Sequence, residues 1–154
     1  MNNAFHADLA ERLFHEGCNC SQAVFAAFCD KTGFSQEDAF RLSSGFGGGF
    51  GRMREVCGAV SGMTLVLGCL KGNDDPKDST RKNDVYAMIS RCMNEFSDIM
   101  GSYVCRDILK LRKTEYSPVS SERTAEFYRS RPCVGCIRLA CDIVDKEING
   151  ENAE

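Results

Sequence analysis

Histidine is scarce and tryptophan absent: the 154-residue chain has two His and no Trp. Two imidazoles leave little scope for acid–base catalysis or for a His-rich metal site, and no Ser–His–Asp or paired-carboxylate constellation stands out. A basic excess is missing as well. The formal net charge of −3 argues against a nucleic-acid surface or a polybasic membrane surface, so no nucleic-acid partner is expected. No apolar run reaches the ~20 residues of a membrane span. The opening Met1–Asn2–Asn3–Ala4–Phe5–His6 lacks a basic stretch followed by an apolar one, so no secretory signal is read and the expected location is cytoplasmic.

Cysteine, by contrast, is abundant, with ten in the chain. The cytosol keeps thiols reduced, so ten of them without an export signal move metal binding and redox chemistry ahead of a disulfide framework. The chain is long enough to bury an ordinary core without staples. Its 43% apolar and 27% charged content suits one globular domain, expected over residues 1–149, with a short polar tail at 150–154. Free cysteine is also a small core hydrophobe. Position must therefore separate a site from packing.

The hydrophobic pattern predicts an all-α fold, a compact bundle of five to seven helices around a buried central helix at about 55–70. Phe5, Leu9 and Leu13 mark a first helix over 3–16 that stops at Gly17. Asn19–Cys20–Ser21–Gln22 is a capping-box start for a second helix running to Gly33. Ser35 opens a short third helix. Gly45–Phe46–Gly47–Gly48–Gly49–Phe50–Gly51 cannot be helix interior. Residues 55–70 are almost wholly apolar or small, and Gly58 and Gly62, one turn apart, would admit a neighbouring helix. Residues 71–82 read as a solvated loop. Val85, Ile89, Cys92, Phe96 and Ile99 stripe a helix over 83–100. Ser102 can cap a short helix to Leu111, residues 112–121 read as loop, and one or two turns follow within 122–129. Pro132 opens the last helix, which carries Ile137, Ala140, Cys141, Val144 and Ile148.

Four cysteines share one local context, the start of a helix: Cys20, Cys57, Cys105 and Cys133. Unpaired N–H groups and the positive end of the helix dipole favour thiolate there. Thiolate is both the nucleophile and the ligand of soft metals. Cys29, Cys69, Cys92 and Cys141 fall in or near the ends of apolar helix faces and read as packing. Cys18 and Cys136 are substitutes within the close pairs Cys18–Asn19–Cys20 and Cys133–Val134–Gly135–Cys136. A Cys-x-x-Cys opening a helix is dithiol redox geometry, although no β-α-β pattern surrounds it, and two close pairs can also hold Zn²⁺. His15 is close in sequence to Cys18, and reads either as a ligand or as a surface residue on the last turn of its helix. The glycine stretch lacks the Lys-Ser/Thr and the preceding strand of a phosphate loop. It either lets backbone approach a cofactor beside Cys57, with Gly58 as a cofactor-facing position, or allows a tight crossing. Arg52 and Arg54 either offset thiolate charge or sit solvated.

Asn19–Cys20–Ser21–Gln22–Ala23, Ser44–Gly45–Phe46–Gly47–Gly48–Gly49, Cys57–Gly58–Ala59–Val60–Ser61–Gly62, Cys105–Arg106–Asp107–Ile108–Leu109 and Cys133 before a helix resemble, in order, the C_GCAxxG_C_C family of redox-active proteins. The resemblance implies that Cys20, Cys57, Cys105 and Cys133 are the family's four cysteines, with Cys136 as the competing choice for the fourth. It also implies an oxidoreductase or transporter as partner, because family members are often encoded beside one. Some members carry a twin-arginine export signal, which suggests a bound prosthetic group; this chain shows no such signal.

The leading expectation is one site built from these four thiols, ligating an iron–sulfur cluster or another thiophilic metal such as zinc. Two other readings compete with it. One is metal-free thiol–disulfide exchange through Cys133 with Cys136, or Cys20 with Cys57. The other is a structural zinc or partner-binding module for an oxidoreductase.

Overall fold

A computed structural model describes residues 4–111 and 116–150. Among these residues the regular elements are nine α-helices and one 3-10 turn at Ser44–Phe46, with an isolated antiparallel bridge between Val56 and Val104. The helices are α1 (Phe5–His15), α2 (Cys20–Ala27), α3 (Cys29–Thr32), α4 (Gln36–Ser43), α5 (Gly58–Lys71), α6 (Ser79–Met100), α7 (Cys105–Leu109), α8 (Ala125–Ser130) and α9 (Cys133–Ile148). The all-α expectation holds. The helix count exceeds five to seven because the chain adds very short helices: α3, α7 and α8 have four, five and six residues. No helix among the described residues is long and apolar enough to cross a membrane. Residues 151–154 of the expected tail and 112–115 of the expected loop lie outside the described residues.

Side-chain caps set several of the boundaries. Asn19 Oδ1 accepts the Gln22 N–H at 2.9 Å while Gln22 Oε1 accepts the Asn19 N–H at 3.0 Å, which completes the capping box of α2. Ser35 Oγ accepts the Asp38 N–H at 3.1 Å to open α4. Asp78 Oδ1 accepts the Arg81 N–H at 2.8 Å, so α6 begins at Ser79, a turn before the apolar stripe that predicted it. The helix expected over 19–33 is interrupted at Phe28, where φ −105° and ψ 20° leave the helical region.

The buried face of α1 also differs from the predicted stripe. Phe5 is 54% exposed, and the buried line is His6, Ala7, Ala10, Leu13 and Phe14. The two alanines let α1 lie close to its neighbours. His6 goes inward because its ring meets Asp145 Oδ1 at 2.7 Å and Asp30 Oδ1 at 3.0 Å, and stacks on Phe28 at 4.0 Å. Of the α6 stripe, Cys92 and Phe96 are buried, as is Met88, but Ile99 is 62% exposed. Buried Glu147 of α9 joins α6 through Arg91 Nη2 at 2.8 Å.

At the centre, α5 crosses α2 at glycines. A Cβ on Gly62 would lie 2.9 Å from the Ser21 carbonyl oxygen, and one on Gly58 would lie 3.2 Å from Cys20 Cβ. Residues Gly58 to Met63, with Val66 and Leu67, are buried, whereas Cys69 and Leu70 emerge on the last turn. The helix starts later than residue 55 because the segment 54–57 is hydrogen-bonded to the residues that lead into α7. There the Cys57 N–H donates to the Tyr103 carbonyl at 2.8 Å, the Cys105 N–H to Glu55 at 2.6 Å and the Arg106 N–H to Arg54 at 3.1 Å.

The crossing predicts opposite effects from one substitution made at two sites on α5. Gly62→Ala forces a methyl against backbone and should lower stability by about 1–3 kcal/mol. Gly68→Ala has open space around it and should raise stability by about 0.5–1 kcal/mol through helix propensity. Urea unfolding of the two variants is the check.

Candidate functional site

The glycine stretch packs against the start of α7. Its backbone coils on itself, with the Arg54 N–H donating to Gly48 at 3.2 Å and the Glu55 N–H to Gly49 at 3.0 Å. Phe50, Arg52 and Arg54 hold left-handed φ values of 65°, 64° and 61°, at a cost of about 1–2 kcal/mol for each L-residue. At Gly49, with φ 73°, a Cβ would sit 2.8 Å from Cys105 Cβ and 2.8 Å from the Glu55 nitrogen. Glycine there lets Cys105 come against the loop.

Between this loop, the segment 118–123 and the first turns of α2, α5, α7 and α9 lies a cavity of about 300 Å³. Cys20, Cys57, Cys105 and Cys133 all line it, together with Cys136 and Gly58. Cys20 and Cys133 are the first residues of α2 and α9, and Cys57 is the N-cap of α5. Cys105 is the first residue of α7, capped by Val104 rather than Ser102; the Ser102 hydroxyl accepts the Val104 N–H at 3.0 Å instead. With five residues, α7 is too short to offer much dipole. Its cysteine has a different electropositive neighbour, Arg54 Nη1 at 3.7 Å.

The other cysteines fall elsewhere. Cys18 does not line the cavity, and its carbonyl accepts from Arg123 Nη2 at 2.9 Å. Cys92 and Cys141 are buried in the core, as packing residues should be, but Cys69 is exposed and Cys29 half-buried. His15 stays at the surface, 3.8 Å from Glu11 Oε1 and with its ring 4.5 Å from that of Tyr128.

The five cavity thiols are not equivalent. Their ionisation ties Cys20 to Cys133 and Cys57 to Cys136, each thiol shifting the other's affinity for its proton. These partners differ from the sequence pairings Cys133–Cys136 and Cys20–Cys57, and both α2 and α5 pack against α9. The Cys20 thiol, aided by Arg131, Arg54 and Arg123 against the effect of burial, lowers the Cys133 pKa to about 7. Cys20 is the proton holder, pushed well above the thiol range by Cys133 and by burial. In the second pair, the Cys136 thiol lowers Cys57, burial opposes it, and the backbone N–H groups of Ala59 and Val60 assist. Cys136 is correspondingly raised. Burial raises Cys105, with Arg54 opposing. The core cysteines contrast with Cys133: burial, with the Glu147 charge, takes Cys92 up to about 11.

Arginines complete the wall. Arg52, Arg54, Arg123 and Arg131 line the cavity, and among the described residues no Asp or Glu does. Arg54 is 7% exposed. Arg52 donates to the Ser117 carbonyl and to Ser121 Oγ, both at 3.0 Å, and Arg131 donates to the same Ser121 hydroxyl at 3.3 Å. Arg123 lies 4.4 Å over the Phe14 ring and donates to the Phe14 carbonyl at 3.0 Å. Sequence reasoning passed over Arg123, Arg131 and the burial of Arg54, since an isolated arginine beside a loop carries no periodic signal.

Soft thiolates are the right donors for zinc or an iron–sulfur cluster. Nevertheless, among the described residues no three His, Cys, Asp or Glu side chains meet as ligands of one metal ion. The donor set suits a thiophilic group. Its disposition around a cavity does not suit a single tetrahedral ion, which needs its ligands about 2.3 Å from one point.

Comparison with curated proteins and with solved structures gives no match. The model of the family described as "Putative redox-active protein (C_GCAxxG_C_C)" matches residues 18–147, a span that holds all five cavity cysteines. With that match covering most of its length, the chain belongs to the C_GCAxxG_C_C family of redox-active proteins.

Proposed function

We propose that this protein handles electrons as dithiol and disulfide, with Cys20–Cys133 and Cys57–Cys136 as its working pairs. The observation that carries the reading is the gathering of Cys20, Cys57, Cys133 and Cys136, from three separate stretches of chain, around one cavity, where Cys20 with Cys133 and Cys57 with Cys136 shift one another's ionisation in opposite directions. In each pair one sulfur holds the proton while the other is biased toward thiolate, which is the division of labour that thiol–disulfide exchange requires. The Cys133 thiolate attacks a substrate disulfide and releases one thiolate of it. The Cys20 sulfur, giving up its proton to that leaving group, then attacks Cys133 and releases the second. The substrate gains two electrons, and the Cys20–Cys133 pair loses two. An oxidoreductase that reduces the pair again is the partner class this cycle calls for.

A second reading is favoured by the grouping of soft donors around one cavity. Cys20, Cys57, Cys105 and Cys133 would hold an iron–sulfur cluster there, and the cluster would supply one-electron transfer. Four arginines on the same wall suit its negative charge. Anaerobic purification with metal and sulfide analysis separates the two readings. The dithiol reading predicts a colourless protein in which oxidation converts four of the ten thiols into disulfides mapping to Cys20–Cys133 and Cys57–Cys136. Stoichiometric iron and sulfide with visible absorption would overturn it in favour of the cluster.

Two further outcomes follow from the same geometry. Cys57→Ser should remove one of the two disulfides, while Cys92→Ser should keep both and cost about 1–3 kcal/mol in stability by burying a hydroxyl in the core. Alkylation of Cys133 should rise as pH passes through about 7, since thiolate forms above the pKa. Cys69, although exposed, has its pKa raised by partial burial, so it should react more slowly than Cys133 at pH 7. Mass-spectrometric peptide mapping reads both.

A further inference from the structure

The chain as a whole is acidic, with a net charge of −3, yet its thiol-lined cavity carries four arginines and, among the described residues, no carboxylate. A guanidinium withdrawn from water ordinarily finds an anionic partner. Arg54 is 7% exposed, and its side-chain partner is the sulfur of Cys105 at 3.7 Å. Arg52 and Arg131 converge on one neutral acceptor, Ser121 Oγ, at 3.0 and 3.3 Å. A hydroxyl cannot neutralise two cations. Like charges held this close, on a wall where Arg52 and Arg54 themselves adopt left-handed backbone, mark a place built to receive negative charge. Gly51 lines the same wall, and a Cβ there would meet nothing within 4 Å.

Resting on the dithiol reading above, we infer that the substrate is a small disulfide bearing carboxylates, held by Arg52, Arg54 and Arg131 with its S–S bond facing Cys133. The cavity of about 300 Å³ is at the small end of ligand pockets, so the disulfide enters as a small molecule and not as part of a folded protein. The exchange balances as written above: two electrons and one proton leave the Cys133 thiolate and the Cys20 thiol, and the anionic disulfide becomes two thiol species. The arginines supply binding and orientation and take no part in electron transfer.

The test uses the reduced full chain and three disulfides of similar size: 3,3′-dithiodipropionate (anionic), bis(2-hydroxyethyl) disulfide (neutral) and cystamine (cationic). Oxidation of Cys20 and Cys133 is followed by acid quench and mass spectrometry. Each rate is divided by that disulfide's rate with a free dithiol, which removes its intrinsic reactivity. The expected result is a preference of about tenfold or more for the anionic over the neutral disulfide, weakening as salt is added. The cationic disulfide should be slowest. Arg52→Gln should bring the anionic-to-neutral ratio toward one, and Arg52→Lys should retain much of it. Equal normalised rates for anionic and neutral disulfides would overturn this inference and leave the dithiol reading standing. Failure of every disulfide to oxidise Cys20 and Cys133 would overturn the dithiol reading itself.

Discussion

Two backbones in near contact set the position of everything else in this molecule. At Gly58 and Gly62, α5 lies so close to α2 that an added methyl would press on Cys20 and on the Ser21 carbonyl. That crossing brings the starts of the two helices to one end of the bundle. The short run of hydrogen bonds linking Arg54–Cys57 to residues 103–106 places Cys105 there as well, and α9 adds Cys133 and Cys136. The N-termini of α2, α5 and α9 at one cavity are electrostatically unfavourable for one another unless something negative lies between them. Thiolates and a bound anion are the two groups that meet this requirement.

Position within the fold gives cysteines of one chemical type different behaviour. Beside a helix start, a second thiol and the arginines, Cys133 moves down into the physiological range. Inside the core, away from such donors, Cys92 and Cys141 move up and serve as packing. Membership of the redox-active family agrees with a chain that holds some thiols near ionisation and keeps others inert. The arginines give the cavity wall a positive charge.

Much of this was legible in the sequence, because caps and apolar spacing are local. Asn19 with Gln22 announced α2, Ser35 announced α4, and the glycines at 58 and 62 announced a close crossing. The helix starts at Cys20, Cys57, Cys105 and Cys133 could be read one by one. Their gathering could not, since it depends on a crossing and on a bridge at Val56 and Val104 too short to leave a periodic pattern. The pairing of Cys57 with Cys136, and not of Cys133 with Cys136, depends on the packing of α2 and α5 on α9, which is not a local property of the sequence. Phe5 and Ile99 illustrate the opposite error: both continue an apolar stripe, yet both are exposed. On α1, small alanines and a histidine bound by two carboxylates took the inward face, an outcome that hydropathy alone does not forecast.

The account stands or falls on which thiols are neighbours in the reduced protein. Dibromobimane bridges adjacent thiols and fluoresces once both ends have reacted, so digestion and peptide mapping after brief treatment reads adjacency directly. Bridges joining Cys20 to Cys133 and Cys57 to Cys136 are the result this structure predicts. Bridges confined to the sequence-local pairs Cys18–Cys20 and Cys133–Cys136, or no bridges at all, would contradict it.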